Sequence, residues 1–128
     1  MDYRIFEQRV QNIVERIVAI GGEVSTVDIG APATLQQIAH CENQLGFQIP
    51  ESFKKVLVEF SSAIYFRWGF LDDYQLEGEL DGIFSGMLHW DLELLNEINN
   101  DKNAWIKEVF SNPQHDYDKV WHQTFAFY

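Results

Sequence analysis

Residues 31–60, APATLQQIAHCENQLGFQIPESFKKVLVEF, predict two helices joined by a tight corner. Thr34 and Gln37 have the spacing of a capping box, in which each side chain can accept a hydrogen bond from the other residue's backbone N–H. Gly46 stands where a left-handed residue would end the first helix, and Pro50 biases the residue before it away from helical angles. The second helix is predicted by an i, i+3, i+4, i+7 apolar face formed by Phe53, Val56, Leu57 and Phe60.

The flanking sequence predicts one helix before this hairpin and a strand directly after it. Apolar residues at steps of three and four over residues 6–20 predict the first helix. Residues 23–30 fit either a short strand or an extended linker. The β-branched and aromatic run at 64–71 predicts a strand with alternating faces, and a second strand is expected near 82–88.

The last third of the chain predicts two helices and a final strand. We expect helices over 91–99 and 104–110, with the helix breaking at Asn99-Asn100. The alternation in residues 119–128 predicts a strand. Since the sequence stops within this strand, either the domain is truncated at its C-terminus and further strands follow, or the strand is central and the domain is complete.

The residues around the predicted corner resemble the signature of the SUKH superfamily. Its members have a small-residue cap, a helix that ends in Leu-Gly, a Leu/Ile-Pro corner, and then an aromatic residue and a leucine on the next helix. The matching positions are Pro32, Thr34, Ile38, Glu42, Leu45, Gly46, Ile49, Pro50, Phe53 and Leu57. Many members continue with an Asn-Gly turn, where this chain reads Ser61-Ser62-Ala63.

We therefore expect a single SUKH-like domain over residues 1–128. Its expected fold is α+β, with helices packed on one face of a small, mainly antiparallel sheet. The resemblance implies an immunity protein that neutralises a cognate toxin, often a nuclease, by occluding its active site. A regulatory or scaffold interaction domain, like the fungal cell-wall regulators of the superfamily, is one alternative. A small enzyme or small-ligand-binding domain with an aromatic pocket around Trp68, Trp90 and Trp121 is another.

Composition indicates a folded domain without disulfides. The hydrophobic fraction of 46% and the aromatic fraction of 15% are typical of a globular chain rather than a disordered one. The single cysteine, Cys41, lies on the apolar side of its predicted helix and is expected to pack as a small hydrophobe in a reducing compartment. The sequence has no signal-peptide pattern and no apolar run of the ~20 residues that a membrane span needs. A cytoplasmic location is expected.

Negative charge is concentrated in one segment of the sequence. The chain has 20 acidic and 9 basic residues, which gives a net charge of −11. Residues 68–101 contain nine acidic residues and no Lys or Arg, so they supply nine of the eleven net negative charges. Such a field repels nucleic acid and steers a basic partner, and it raises the association rate more than the final affinity. The alternative is an acidic surface that only aids solubility.

No sequence motif points to catalysis, to a metal or to a cofactor. The four histidines are dispersed, no serine lies in a G-x-S-x-G setting, and there is no glycine-rich phosphate loop. We therefore expect a non-catalytic domain that binds a basic protein, and neither a nucleic acid nor a membrane. The residues predicted to bind this partner are five acidic residues and an aromatic anchor: Asp72, Asp73, Glu77, Glu79 and Asp81, with Tyr65 or Trp68.

Overall fold

The computed structural model describes residues 2–71, 74, 76–78, 81–112 and 114–127. The elements in chain order are α1 (Tyr3–Ala19), β1 (Glu23–Val24), β2 (Asp28–Ile29), α2 (Leu35–Leu45), α3 (Glu51–Glu59), β3 (Ala63–Gly69), β4 (Ser85–Asp91), α4 (Leu95–Val109) and α5 (Asp116–Gln123). The four strands form one small antiparallel sheet. The prediction of an α+β fold is confirmed.

The sheet is built around β3. β1 pairs antiparallel with the C-terminal end of β3, where Val24 lies opposite Trp68. β2 pairs antiparallel with its N-terminal end, where Ile29 lies opposite Ile64. β4 also pairs with β3. Residues 23–30 thus contain two short strands of two residues each, which agrees with the strand alternative for this stretch.

Backbone hydrogen bonds tell which edge of β3 each neighbour occupies. The carbonyl of Arg67 accepts from Ser25 N–H at 2.8 Å, and the carbonyl of Ala63 accepts from the residue after β2. The N–H of Phe70 donates to the carbonyl of Phe84 at 2.9 Å. Successive residues of a strand direct their backbone groups to opposite edges, so odd-numbered and even-numbered residues of β3 bond to different neighbours. β1 and β2 therefore share one edge of β3, and β4 lies on the other.

The described residues divide into two compact units. The first comprises residues up to 29 together with 64–89. In it, α1 buries Val10 and Ile17, and β3 buries Ile64 and Phe66 while Tyr65 on the alternate face is exposed. This alternation matches the faces predicted from the sequence.

The second unit comprises residues 30–63 and those from 90 onward, and it contains the predicted hairpin of α2 and α3. The capping box is present: Gln37 N–H donates to Thr34 Oγ1 at 3.2 Å, and Thr34 N–H donates to Gln37 Oε1 at 2.8 Å. Gly46 ends α2 with φ of 76°, in the left-handed region that favours glycine. The core beside these helices includes Ile38, Cys41, Leu45, Ile49, Leu57, Phe60, Trp90, Leu92 and Leu95.

A carboxylate fixes the corner between α2 and α3. Glu42 Oε1 accepts from the backbone N–H of the buried Ile49 at 2.9 Å, and it lies 2.9 Å from Lys54 Nζ. The Lys54 hydrogen bond is the main reason that the pKa of Glu42 is lowered. Glu51, at the start of α3, also lies 2.9 Å from Lys54 Nζ. The corner is thus held by a charged group on the last turns of α2 as well as by Pro50.

Two predictions for the C-terminal third are wrong. A single helix, α4, runs through Asn99 and Asn100. An asparagine inside a helix costs under ~0.7 kcal/mol of helix stability relative to alanine. Ile98, Lys102 and Ile106 are half-buried and spaced i, i+4, so one face of α4 continues past Asn99 and Asn100.

The predicted strand over 119–128 begins instead within α5. The alternation in residues 119–128 did not indicate that a helix begins among the polar residues just before them. At the start of this helix, Asp118 Oδ2 accepts a hydrogen bond from the backbone N–H of His115 at 3.2 Å. After α5 the chain becomes extended at Thr124. The second predicted strand is present as β4, three residues later than expected at either end.

Candidate functional site

The residues predicted to bind a partner fall into three groups in the structure. Asp72, Asp73 and Glu79 lie outside the described residues. Glu77 and Asp81 are exposed in the segment that connects β3 to β4. The two aromatic candidates, Tyr65 and Trp68, lie in β3 on opposite faces of the sheet.

Trp68 begins a row of aromatic side chains that leads out of the sheet. Its ring lies edge-on to Phe70 with centroids 5.8 Å apart. Phe70 in turn stacks on Tyr74 at 4.8 Å, with the two rings 13° from parallel. The Tyr74 hydroxyl donates to the carbonyl of Ile20, just after α1. The row therefore ties the segment after β3 to the end of α1.

Trp68 itself is half-buried because it lies over a glycine of β4. A Cβ atom added at Gly86 would lie 2.7 Å from three atoms of the Trp68 indole, which is too close for any real contact. Glycine at this position lets the indole lie flat on the neighbouring strand. Trp68 therefore serves mainly as a packing group, which makes it a poorer anchor than the sequence suggests.

An exposed apolar patch stands beside this aromatic row. Leu71, Tyr74, Ile83 and Phe84 are all exposed, and Phe84 is 70% accessible. Together with Leu76, Asp81 and Gly82 they line an open depression of about 410 Å³. We use the name loop patch for Leu71, Tyr74, Ile83, Phe84 and Asp81 of this depression together with Glu77, an exposed acid of the same connecting segment. The depression places large apolar side chains next to the Asp81 carboxylate, and the sequence has no Lys or Arg between residues 68 and 101.

Sequence reasoning found the two acids of the loop patch and missed its apolar members. The exposure of Ile83 and Phe84 was not predicted because residues 82–88 were expected to form a strand, whereas β4 begins only at Ser85. Gly82 has φ of 78° and turns the chain just before them. The available signal was the pair of apolar residues that directly follows this Asp-Gly turn.

Tyr65 belongs to a different surface, the solvent face of the sheet. It lies opposite Asp28 of β2, and its ring meets His89 of β4 edge-on with centroids 5.4 Å apart. Arg67 is exposed two residues further along the same face. This face carries both signs of charge, which distinguishes it from the loop patch.

The tryptophans proposed for a ligand pocket have separate aromatic neighbours. In the second unit, Trp90 is buried against Phe53, with ring centroids 6.3 Å apart, and its Nε1 donates to a backbone carbonyl. Trp121 stacks on Phe110 at 5.5 Å. These two indoles are thus used in two different packing clusters.

A groove of about 370 Å³ in the second unit is lined by Thr34, His40, Cys41 and polar neighbours. Cys41 Sγ lies 3.6 Å from the carbonyl of Leu92, to which it can donate. Burial, and then the charge of Glu42, raise the pKa of the Cys41 thiol. The thiol therefore stays protonated near neutral pH, which is opposite to the thiolate that nucleophilic catalysis needs.

In the described part of the chain, no group of three or more His, Cys, Asp or Glu side chains is placed to hold a metal ion. Of the helices in this part of the chain, none has the length and apolar character needed to cross a membrane.

No family model matches this chain, and comparisons with curated proteins and with solved structures find no match either. The candidate site is therefore defined by the chain's own geometry.

Proposed function

We propose that this protein is a non-catalytic binding domain whose partner is a basic protein. The observation that carries the proposal is the loop patch. Protein interfaces combine aromatic and aliphatic anchors at their centre with charged groups around them, and Phe84 and Leu71 beside Asp81 have that composition. A partner that covers these exposed apolar side chains removes them from water. This burial stabilises the complex by about 25 cal/mol per Å² of apolar area.

The sign of the charge identifies the class of partner. Glu77 and Asp81 belong to the 34-residue stretch 68–101, which has nine acidic and no basic residues. These negative charges attract a basic surface over roughly a Debye length, about 8–10 Å at physiological salt. This attraction raises the association rate, while the apolar anchors slow dissociation.

The resemblance of residues 31–60 to SUKH domains favours a particular partner, a cognate toxin of the nuclease type. Nuclease active sites are basic because they hold phosphate, so an acidic protein with apolar anchors could occupy one and exclude the nucleic acid. We propose this immunity function as the most specific form of the binding role. The features of the corner that carry the resemblance, namely the capping box, the left-handed Gly46 and the Pro50 helix start, are present in the folded protein.

The experiment that tests the binding role is a pull-down at low and at high salt, followed by co-expression. A basic protein that is retained at low salt, kills cells when expressed alone and is silenced by this protein would support immunity. Retention of no basic protein at low salt would contradict the binding role itself. Retention of a basic but harmless protein would contradict immunity only.

Matched variants locate the interface. Phe84→Ala and Tyr117→Ala each truncate an exposed aromatic side chain, of 70% and 68% accessibility. Asp81→Lys and Glu108→Lys each change the charge by the same amount at an exposed site. We expect Phe84→Ala to speed dissociation and Asp81→Lys to slow association, each by about tenfold or more, with near-normal binding in the two controls. Equal effects in all four would remove the loop patch from the interface.

A further inference from the structure

Among the described strands, β4 is the outermost on its side of β3. Phe70 N–H donates to the carbonyl of Phe84, the Trp68 indole covers Gly86, and the rings of Tyr65 and His89 meet. These contacts fix the register, with each even-numbered residue of β3 bonded to an even-numbered residue of β4. In an antiparallel pair the intervening residues direct their backbone groups away from the partner strand. On β4 those residues include Ser85 and Met87.

No strand in the described ranges pairs with the outer edge of β4. Ser85 and Met87 are exposed there, and the backbone N–H and C=O groups that they direct away from β3 are not bonded to another strand of the described residues. Proteins usually protect such an edge with lysine, proline or a bulge. β4 reads SGMLHWD and contains neither lysine nor proline. It is seven residues long, which is enough to pair with a full strand.

We propose that the outer edge of β4 receives an extended, basic segment of the partner protein as an additional strand of the sheet. In this mode of recognition, main-chain hydrogen bonds give affinity and alternate side chains give specificity. The inference rests on the proposed binding role and adds the way in which the partner is held. The loop patch lies next to this edge along the chain, because Phe84 directly precedes Ser85.

Charge selects a basic partner segment over a second copy of the same chain. Asp81 lies just before β4, Asp91 is its last residue, and Glu93 follows. Two copies joined edge to edge along β4 would bring six such carboxylates together, against only the two copies of Arg67, which the register places opposite Met87. Like charges placed opposite one another destabilise strand pairing, and opposite charges stabilise it.

The test uses short synthetic peptides as probes. The first is a fluorescent alternating Lys-Val peptide, and the second is the same peptide with alternate backbone nitrogens methylated, which keeps the charge but removes hydrogen-bond donors. An alternating Glu-Val peptide is the third. We expect the Lys-Val peptide to bind at least about tenfold more tightly than either of the others by fluorescence anisotropy, and to slow hydrogen exchange at the amides of Ser85 and Met87.

Variants of the protein separate edge pairing from general charge attraction. Met87→Pro replaces the Met87 side chain and removes an N–H that points away from β3, and prolines are tolerated at such edge positions. Met87→Lys retains the N–H and adds a protective charge, so it serves if the proline variant fails to fold. Tyr65→Lys is the matched control, because Tyr65 and Met87 are 38% and 39% exposed on the same face and only Met87 is on the edge strand. We expect both Met87 variants to weaken peptide binding about tenfold, with a smaller change in Tyr65→Lys.

Four results would overturn the inference. They are equal binding of the methylated peptide, no binding of the Lys-Val peptide, an equal loss in Tyr65→Lys, and a concentration-dependent dimer of the protein that Met87→Pro abolishes. If the partner from the pull-down still depends on Phe84 while Met87→Pro binds it normally, the binding role stands and edge pairing is wrong. If neither variant affects a captured partner, the interface lies elsewhere and both proposals are wrong.

Discussion

Removing the Glu42 carboxylate tests how the corner between α2 and α3 is held. In Glu42→Ala, the N–H of Ile49 loses its acceptor at 2.9 Å, and Ile49 is buried. A hydrogen bond to a charged group contributes about 1.5–3 kcal/mol. Because the Glu42 side chain is 19% exposed, water can replace part of the lost interaction. We expect the free energy of unfolding to fall by about 1.5–2 kcal/mol.

Glu51→Ala is the matched control for this variant. Glu51 contacts the same Lys54 nitrogen at the same 2.9 Å, but its side chain is 84% exposed. An exposed ion pair contributes about 0–1 kcal/mol, so this variant should cost clearly less than Glu42→Ala. Urea unfolding followed by tryptophan fluorescence gives both values. Equal costs at pH 7 would refute the assignment of the corner's stability to the bond between Glu42 and Ile49.

The effect of Glu42→Ala has a predicted pH dependence. The pKa of Glu42 is lowered on folding, chiefly by the hydrogen bond from Lys54. A carboxylate of lowered pKa contributes stability that is present above its unfolded pKa, about 4.3, and that is lost as pH falls through its folded pKa. The difference in unfolding free energy between the wild type and Glu42→Ala should therefore narrow below about pH 4. A constant difference down to pH 3 would contradict this reasoning.

Three further variants or probes test other parts of the second unit. Leu57→Ala truncates a side chain of 0% exposure and should cost about 3–4 kcal/mol in urea unfolding, and a loss below about 1 kcal/mol would contradict its central packing. Gly46→Ala meets no atom within 4 Å but keeps φ near 76°, so it should cost only about 1–2 kcal/mol, and a loss above about 3 kcal/mol would indicate a steric clash. Burial raises the pKa of the Cys41 thiol, so we expect this thiol to react with a thiol reagent many-fold faster after unfolding. Rapid labelling of the native protein at pH 7 would contradict the burial of the thiol.

The hairpin of α2 and α3 could be predicted from the sequence because its signals are local. Thr34 and Gln37 cap the helix through atoms three residues apart, and Gly46 ends it through its own backbone freedom. Each of these effects acts whatever the rest of the chain does. The role of Glu42 was not predictable in the same way, because it depends on how the chain turns at the corner. Its partners lie seven and twelve residues away, across the corner.

The elements that were predicted wrongly depend on packing or on unusual helix starts. Asn99 and Asn100 lower helix propensity by a fraction of a kcal/mol each, which the continuous half-buried face of α4 outweighs. At α5, an aspartate that accepts from two backbone N–H groups begins a helix where alternation suggested a strand. The exposure of Ile83 and Phe84 in the loop patch was not predicted for a related reason. It follows from the start of β4 at Ser85, directly after these two residues.

The order in which the chain visits its two compact units limits how the protein can be divided. It enters the second unit at residue 30, returns to the first at 64 and leaves it again at 90. No single peptide bond can therefore be cut to release either unit whole. A nascent chain that has been synthesised only as far as residue 63 contains part of each unit but neither unit in full. The later segments must therefore be synthesised before either core can form. Two fragments divided at this point should accordingly need each other to fold.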